Sequence, residues 1–435
     1  MFRYILLFCI VISVFFTGQT ALCIDMKTNE NRQKKIFKHT QKKTNRAHKK
    51  TKLKKKKKSG ETKVILLDDS NISSLIDMQQ KIILQPRKIS VATKNKGVPN
   101  ICLGIPVKKK EQNNKQYKPS IPNKALENAK KNLKRHIKYS LEANEIDKDL
   151  VKYIHNHLEY HKPSEQKHKE IIKRKMIDFI KNYKVAERVK TGKEYKKKYK
   201  DTLMEVENLF DVDANVILSI WGMETNYGNF IGNNDAFNAL YSACMNAQSI
   251  ERLRYFEKNI IFLAKLVDYG FFTKDVISSF DGGLGGCQFM PDSFYKYAVS
   301  LKGDKADIIN NNEDVFASIA NYVHSMGWRY KQGVITEITL PDNFDPCLIG
   351  MNTVKTVKEW ENLGVKAHKN KIGKQHMKDY NAKASIIVTD PNDSIEETPE
   401  KRAFLVYDNY KVIMGYNRQL AYGLTTGLIF EGIGD

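Results

Sequence analysis

Glu224 ends a stretch whose residue types could perform acid chemistry. The run from Asn215 to Met223 is apolar, and Glu224-Thr-Asn-Tyr-Gly228 follows it. Ile217, Ile220, Trp221 and Glu224 stand at i, i+3, i+4 and i+7, so a helix here would carry a carboxylate on an apolar face. An acid on a buried face is costly unless it is satisfied or neutral. Desolvation raises its pKa, and the negative end of the helix dipole pushes the same way. A carboxylic acid kept protonated near neutral pH is what a general acid needs. The spacing predicts a helix with Asp213 as N-cap and Gly228 as its stop. Taken alone, that helix favours a plainer role for Glu224, at the helix edge and in water. The rest of the chain decides between the two.

The second stretch with chemical potential is Ser279-Phe-Asp-Gly-Gly-Leu-Gly-Gly-Cys-Gln-Phe-Met-Pro291. Four glycines this close together mean that backbone approaches a neighbouring element or a ligand. No Gly-Lys-Ser/Thr follows, which excludes a phosphate-binding P-loop, and no strand pattern precedes a dinucleotide fingerprint. His155, His157 and His161 cluster, with His157 and His161 at i, i+4, but His-Leu-Glu-Tyr-His lacks the adjacent His-Glu of a zinc protease helix. A solvated or partly packed histidine face is expected there, and no metal or cofactor.

These stretches need a scaffold, and the pattern supplies a mainly helical one. Basic amphipathic helices are expected at 125–141, 148–161 and 165–183, and further helices at 236–244, 252–269, 293–301 and 313–326. From Thr336 onward short β-type runs appear at 336–340, 384–388, 403–407 and 412–414, with a helix at 353–363 and an apolar helix at 420–430 closing the chain. The expected architecture is a helical body over 123–334 and a small mixed α/β subdomain with a closing helix over 335–435, together forming one region from 119 to 435.

What precedes that region is of another kind. Arg3 and the apolar run from Tyr4 to Phe16 read as an export signal over residues 1–23, with Ala21-Leu22-Cys23 as the cleavage site. The run is too short for a comfortable membrane span; an uncleaved N-terminal anchor is the alternative. Residues 24–118 are lysine-rich and of low complexity, ending their densest part in Lys54 to Lys58, and should be largely disordered. The chain of 435 residues carries a formal net charge of +24, concentrated unevenly. Electrostatic contact with an anionic membrane or wall surface fits such a segment. Specific nucleic-acid binding fits poorly with export. Cys102, Cys244, Cys287 and Cys347 remain after the signal, and four cysteines allow three pairings between which sequence does not choose.

The motifs together carry a resemblance. Glu224-Thr-Asn-Tyr-Gly228, the glycine-rich turn, Asn321-Tyr-Val-His-Ser-Met-Gly-Trp328 and Tyr416-Asn-Arg-Gln-Leu-Ala-Tyr422 occur in the order and approximate spacing of bacterial lytic murein transglycosylases of the membrane-bound B type. The resemblance runs from about Val185 to Ile433. It implies a lysozyme-like helical catalytic domain that cleaves the β-1,4 bond between N-acetylmuramic acid and N-acetylglucosamine in peptidoglycan glycan strands. It also implies one glutamate, matched by Glu224, acting as acid and then as base, and a 1,6-anhydro product. Ordinary glycosidases use two carboxylates; an internal nucleophile removes the need for the second. Ser279 and Gln288 match positions near the acid, where they would hold it or the substrate's acetamido group. Tyr322, Tyr416 and Tyr422 match cleft tyrosines suited to sugar faces and oxygens. Phe289 counts among the substrate-binding positions, with packing as its other reading. Arg252 matches one of two adjacent arginines, the other being Glu251 here.

Two departures bear on the expectation. Asp281 stands where relatives carry a small residue, as a turn residue or as a second acid that would favour hydrolysis. The segment from Ser300 to Asp307, reaching Asp314, matches a calcium loop of relatives, but Lys302 occupies a ligand position and Ser300 replaces an acid. A loop held without metal is expected. A hydrolytic muramidase on the same fold and a catalytically inactive wall-binding module are the alternatives to transglycosylation.

Overall fold

Helices form here wherever apolar residues recur every three or four positions. In a computed structural model of the chain, residues 124–162, 176–370, 372–389 and 402–434 are described; the signal, the lysine-rich segment and most of the expected helix at 165–183 lie outside them. The first expected helix is two, α1 (Lys124–Lys131) and α2 (Leu133–Ala143), divided at Asn132, whose side chain turns back to the Asn128 carbonyl at 2.9 Å. α2 buries Leu133, Ile137 and Leu141, one face at i, i+4 and i+8. In α3 (Lys148–His157), Asp147 caps by accepting from the Asp149 and Leu150 amides, each at 3.0 Å. Then come α4 (Met176–Asn182), α5 (Val185–Lys198) and α6 (Lys200–Phe210).

α7 (Ala214–Thr225) is the central helix. It is apolar on nearly every side, and all its residues but Asn215 and Glu224 are buried. Asp213 holds the N-cap position but makes no capping bond. Its carboxylate instead accepts from the Trp328 indole at 2.8 Å and the Lys331 amide at 3.1 Å, which ties the start of α7 to a distant turn. The helix stops at Thr225, three residues before Gly228. Asn226, Tyr227 and Gly228 are all left-handed, with φ of 50°, 62° and 80°. Tyr227 is an unusual residue in that region. Its hydroxyl donates to the Arg188 carbonyl at 2.6 Å, and its ring passes where a Cβ on Gly222 would come within 2.7 Å. Gly222 is therefore required by the ring that holds the strained turn.

A two-residue ladder joins β1 (Asn234–Asp235) to β2 (Ile277–Ser278), pairing Asn234 with Ser278. Between them lie α8 (Ala236–Met245) and α9 (Ile250–Asp268). α10 (Pro291–Tyr297) and α11 (Asn312–Ser325) complete the helices before the sheet.

The sheet consists of β3 (Ile335–Thr339), β4 (Gly350–Thr356), β5 (Lys366–Ala367), β6 (Lys383–Val388) and β7 (Ala403–Val406), antiparallel in the order β4-β6-β7-β3-β5. It pairs Ile335 and Ser385 with Val406 from either side. One face packs on α12 (Val357–Asn362) through Trp360, Val357, Ile386 and Leu405. The expected helix from Thr353 begins later, because Thr353 to Thr356 belong to β4 and a capping box of Thr356 and Glu359 starts α12.

Val412-Ile-Met414, expected as a strand, lies inside α13 (Asp408–Tyr416). Three apolar residues carry no period of their own; Asn409, Tyr410, Val412 and Ile413 bury one helical face. The closing helix α14 (Leu420–Gly434) packs against α7 and α5 of the body, against α13 and against β3.

Candidate active site

Glu224 sits one residue before the end of α7, where the helix dipole opposes its charge. The residue keeps partial contact with solvent, but its carboxyl group is desolvated. Burial raises its pKa to about 7, and a hydrogen bond from Tyr422 partly offsets that rise. No charged side chain among the described residues contributes. Tyr422 Oη lies 2.6 Å from Glu224 Oε1, brought there by the contact of α14 with α7.

The tyrosines of the site are bound to the frame. Tyr416 Oη donates to the Cys287 carbonyl at 2.5 Å, and Tyr322 Oη to the Gly415 carbonyl at 2.9 Å. Tyr322 and Tyr416 pack edge to face at 4.8 Å, and Phe289 lies 5.7 Å from Tyr322 and 5.9 Å from Tyr416. Two of the expected saccharide-binding positions are buried side chains. Phe289 is 2% exposed and Tyr422 3% exposed, so neither ring offers a face to a sugar. Phe289 braces the tyrosines, and Tyr422 reaches the site through its hydroxyl alone.

The glycine-rich turn is folded tightly on a neighbour. Leu284 and Phe289 exchange backbone bonds at 2.9 and 3.2 Å, with Gly285 and Gln288 left-handed between them. Gly286 N donates to the Ile308 carbonyl at 2.7 Å, and a Cβ on Gly285 would meet that carbonyl oxygen at 2.4 Å. The close approach is therefore to the chain at Ile308. Ser279 and Gln288 converge on Gly283: a Cβ there would lie 2.9 Å from Ser279 Oγ and 2.9 Å from Gln288 Oε1. Ser279 Oγ accepts from the Gly283 amide at 3.0 Å. Gln288 Nε2 donates to the Ile231 and Gly285 carbonyls at 3.1 and 3.0 Å, joining the turn to the loop after Glu224.

Arg252 stands apart. Its guanidinium lies over the Phe256 ring at 4.8 Å. The link to the cluster is Tyr255, a half-exposed ring that senses the charges of Asp292, Arg252, Arg418 and Asp281, and whose own ionisation Tyr322 senses. Sequence reasoning missed Tyr255 and gave no role to Arg418, although it lies in the motif from Tyr416 to Tyr422. Tyr255 lies at i+3 from Arg252 on one helix, a spacing that could have drawn it in. It also missed Cys287, a buried free thiol whose pKa is raised by burial and then by the charge of Glu224, and which therefore lies close to the acid. Cys244 and Cys347 are free thiols as well.

A family model described as a transglycosylase SLT domain matches residues 128–429. The chain belongs to that family. Membrane-bound lytic murein transglycosylase B of Escherichia coli K12 is 30% identical over 153 residues, 35% of this chain and 42% of that protein. The chain thus aligns with less than half the length of that curated relative. Pseudomonas aeruginosa SltB3, solved in complex with NAG-NAM-pentapeptide, matches with a TM-score of 0.60 and 25% identity, over 70% of this chain and 79% of SltB3. Escherichia coli Slt35, solved in complex with calcium, matches with a TM-score of 0.56 and 19% identity, over 70% of this chain and 92% of Slt35. The fold of this SLT-domain chain is that of these lytic transglycosylases.

No group of three or more His, Cys, Asp or Glu side chains able to hold a metal occurs among the described residues. His157 Nε2 pairs with Asp235 Oδ2 at 3.1 Å, while His161 uses its backbone amide on Ser242. In the loop that would match a calcium site, Asp314 fills the centre. It accepts from the Leu301 amide at 2.8 Å, the Asp307 amide at 2.9 Å and Ser300 Oγ at 3.3 Å. Lys302 Nζ turns to Glu313 at 2.6 Å.

Proposed function

We propose that this chain is a peptidoglycan lytic transglycosylase that cleaves the β-1,4 bond from N-acetylmuramic acid to N-acetylglucosamine without water, with Glu224 as the single acid and base. The observation that carries this reading is a desolvated carboxyl with a pKa of about 7, tuned by one neutral donor, Tyr422. In the first step Glu224 gives its proton to the glycosidic oxygen and that C–O bond breaks. In the second, the resulting carboxylate takes the proton of the muramoyl 6-hydroxyl as that oxygen bonds to the anomeric carbon. Glu224 ends protonated, as it began, and the 1,6-anhydro end forms with no water consumed. A group with a pKa near the working pH suits both directions of transfer.

The SltB3 structure with its glycan-peptide ligand supports peptidoglycan as the substrate class. Ser279, Gln288 and Tyr322 would line or hold the saccharide site, with Arg252 and Tyr255 at its edge. The same reading asks for a chain exported to the periplasm or envelope, as the N-terminal sequence suggests. No helix among the described residues is long and apolar enough to cross a membrane.

Mass spectrometry of digested sacculi tests the proposal. Anhydromuropeptides are expected, and their loss in Glu224→Gln. Reducing muramic acid ends, heavier by one water, would make the enzyme a muramidase. Binding to sacculi with no release would make it a wall-binding module.

A further inference from the structure

The positive charge of the described residues is gathered around one helix, α5. Between 181 and 200 stand nine lysines and arginines against two glutamates. The other described residues hold 29 basic and 32 acidic side chains, so the remainder is slightly negative. One side of α5 is packed. Val189 and Gly192 meet Gly432 and Ile433 of α14, and Tyr195 lies 5.1 Å from Trp221 and 5.4 Å from Tyr227. Lys190, Lys193 and Lys197 follow at i, i+3 and i+7 on the far side of the helix, and all three are exposed. Among the described residues no ion pair engages any of them. Glu187 and Glu194 border the stripe, and Glu187 is held by Lys184 at 3.3 Å.

The residue types limit what such a stripe can hold. Lysines are point charges on flexible stems and lack the planar fork that selects a single phosphate or carboxylate. None of the large exposed apolar side chains among the described residues is on α5, so nothing there inserts into a bilayer or stacks on bases. A diffuse anionic surface is what remains, and position tells which one. Arg188 Nε of α5 donates to the Gly222 carbonyl at 3.0 Å, and the Tyr227 ring fills the space between Gly222 and α5. Gly222 and Glu224 are two residues apart on α7, about 200° round its axis. α5 therefore covers the side of α7 turned away from Glu224, and the stripe lies on the outer side of α5. A glycan strand at Glu224 occupies the opposite side, so the stripe faces a second surface.

We infer that the lysine stripe of α5 rests on an anionic phospholipid surface. The contact is electrostatic, made with headgroup phosphates, and belongs to the folded body rather than to the lysine-rich segment ahead of it. The inference rests on the proposed envelope location and on none of the chemistry at Glu224.

The test uses the full chain and the triple variant Lys190→Gln, Lys193→Gln, Lys197→Gln. A control variant, Lys131→Gln, Lys148→Gln, Lys152→Gln, removes the same charge from exposed lysines of α1 and α3. Melting temperatures check that both remain folded. Co-sedimentation with phosphatidylcholine vesicles, with and without phosphatidylglycerol, reads the affinity, and sacculi serve as the competing surface. The parent should bind the anionic vesicles alone and lose that binding as salt rises from about 0.1 M to about 1 M. The α5 variant should bind them at least tenfold more weakly, since each lysine near such a surface is worth about fivefold, and the control variant should lose far less. Equal loss in the two variants would make total charge the cause and overturns the inference. So does unchanged vesicle binding in the α5 variant, or a weakening on sacculi without one on vesicles, which would assign the stripe to a wall polymer. Cleavage enters none of these readouts, so a failure of the proposed activity leaves their result intact.

Discussion

The Tyr422 hydroxyl donates to Glu224 Oε1 at 2.6 Å across 198 positions of sequence. The partner of the acid thus comes from the closing helix, and it is a neutral donor. A neutral donor steadies the carboxylate without abolishing the effect of burial, so the pKa stays near 7. A cation in the same place would hold the group ionised and remove its capacity as an acid.

Tyr422→Phe should move the pH–rate profile. The lost bond is one that lowers the Glu224 pKa, so the alkaline limb, where the acid deprotonates, should shift above its parent position near pH 7. Turnover should also drop, on the order of tenfold, because the carboxylate formed in the first step loses its donor. Initial rates on sacculi between pH 5 and 9, roughly the range that brackets the limb, check both effects. An unmoved limb would detach Tyr422 from the acid.

Glu224→Gln should trade activity for stability in a pH-dependent way. The folded pKa of about 7 exceeds the ordinary value of 4.5, so the folded state holds the proton more tightly than the unfolded chain. The contribution of Glu224 is therefore full below pH 4.5 and is lost as pH rises to about 7. Glutamine does not ionise. The variant should match the parent at low pH and exceed it above pH 7 by about 3 kcal/mol at most. Denaturant melts at several pH values give the curve, and a constant difference across it would contradict a neutral buried acid.

Gly283→Ala should damage the site more than the fold. The new methyl would lie 2.9 Å from both Ser279 Oγ and Gln288 Oε1, with Gly283 N still tied to Ser279. Gln288 also carries the bonds to Ile231 and Gly285, so its displacement would loosen the loop after Glu224. A stability loss of about 1–3 kcal/mol is expected. Melting temperature and kcat/KM measured together should show an activity loss of about tenfold or more under conditions where the variant remains folded.

The sequence made the helical body and the acid readable because both rest on local period. Ile217, Ile220, Trp221 and Glu224 share a face by spacing alone, and the β-type runs at 336–340 and 384–388 are found close to where they were expected. What stayed hidden depends on distant partners. Asp213 has the type and place of an N-cap, but Trp328 and Lys331 claim its oxygens. Val412 to Met414 are too few to show a period, and the packing of α13 on α14 settles them as helix. Tyr422 was singled out by resemblance, but its bond to Glu224 was not legible, because only the packing of α14 on α7 buries the ring and turns the hydroxyl toward the carboxyl group.

The loop from Ser300 to Asp314 should be indifferent to calcium. A calcium ion needs six to eight oxygen ligands. Here both Asp314 oxygens already accept from Leu301, Ser300 and Asp307, and Lys302 supplies a positive charge beside Glu313. The aspartate does for the loop what a metal would otherwise do, collecting its backbone amides around one centre. Millimolar calcium or a chelator should therefore shift the melting temperature by less than about 1 °C, since a ligand that does not bind the native state adds no stability. Asp314→Asn should cost about 1–3 kcal/mol, because the amide turns a donor toward amides that need an acceptor. A rise of several degrees on adding calcium to the parent protein would show that the ion displaces these bonds and that the loop is a metal site after all.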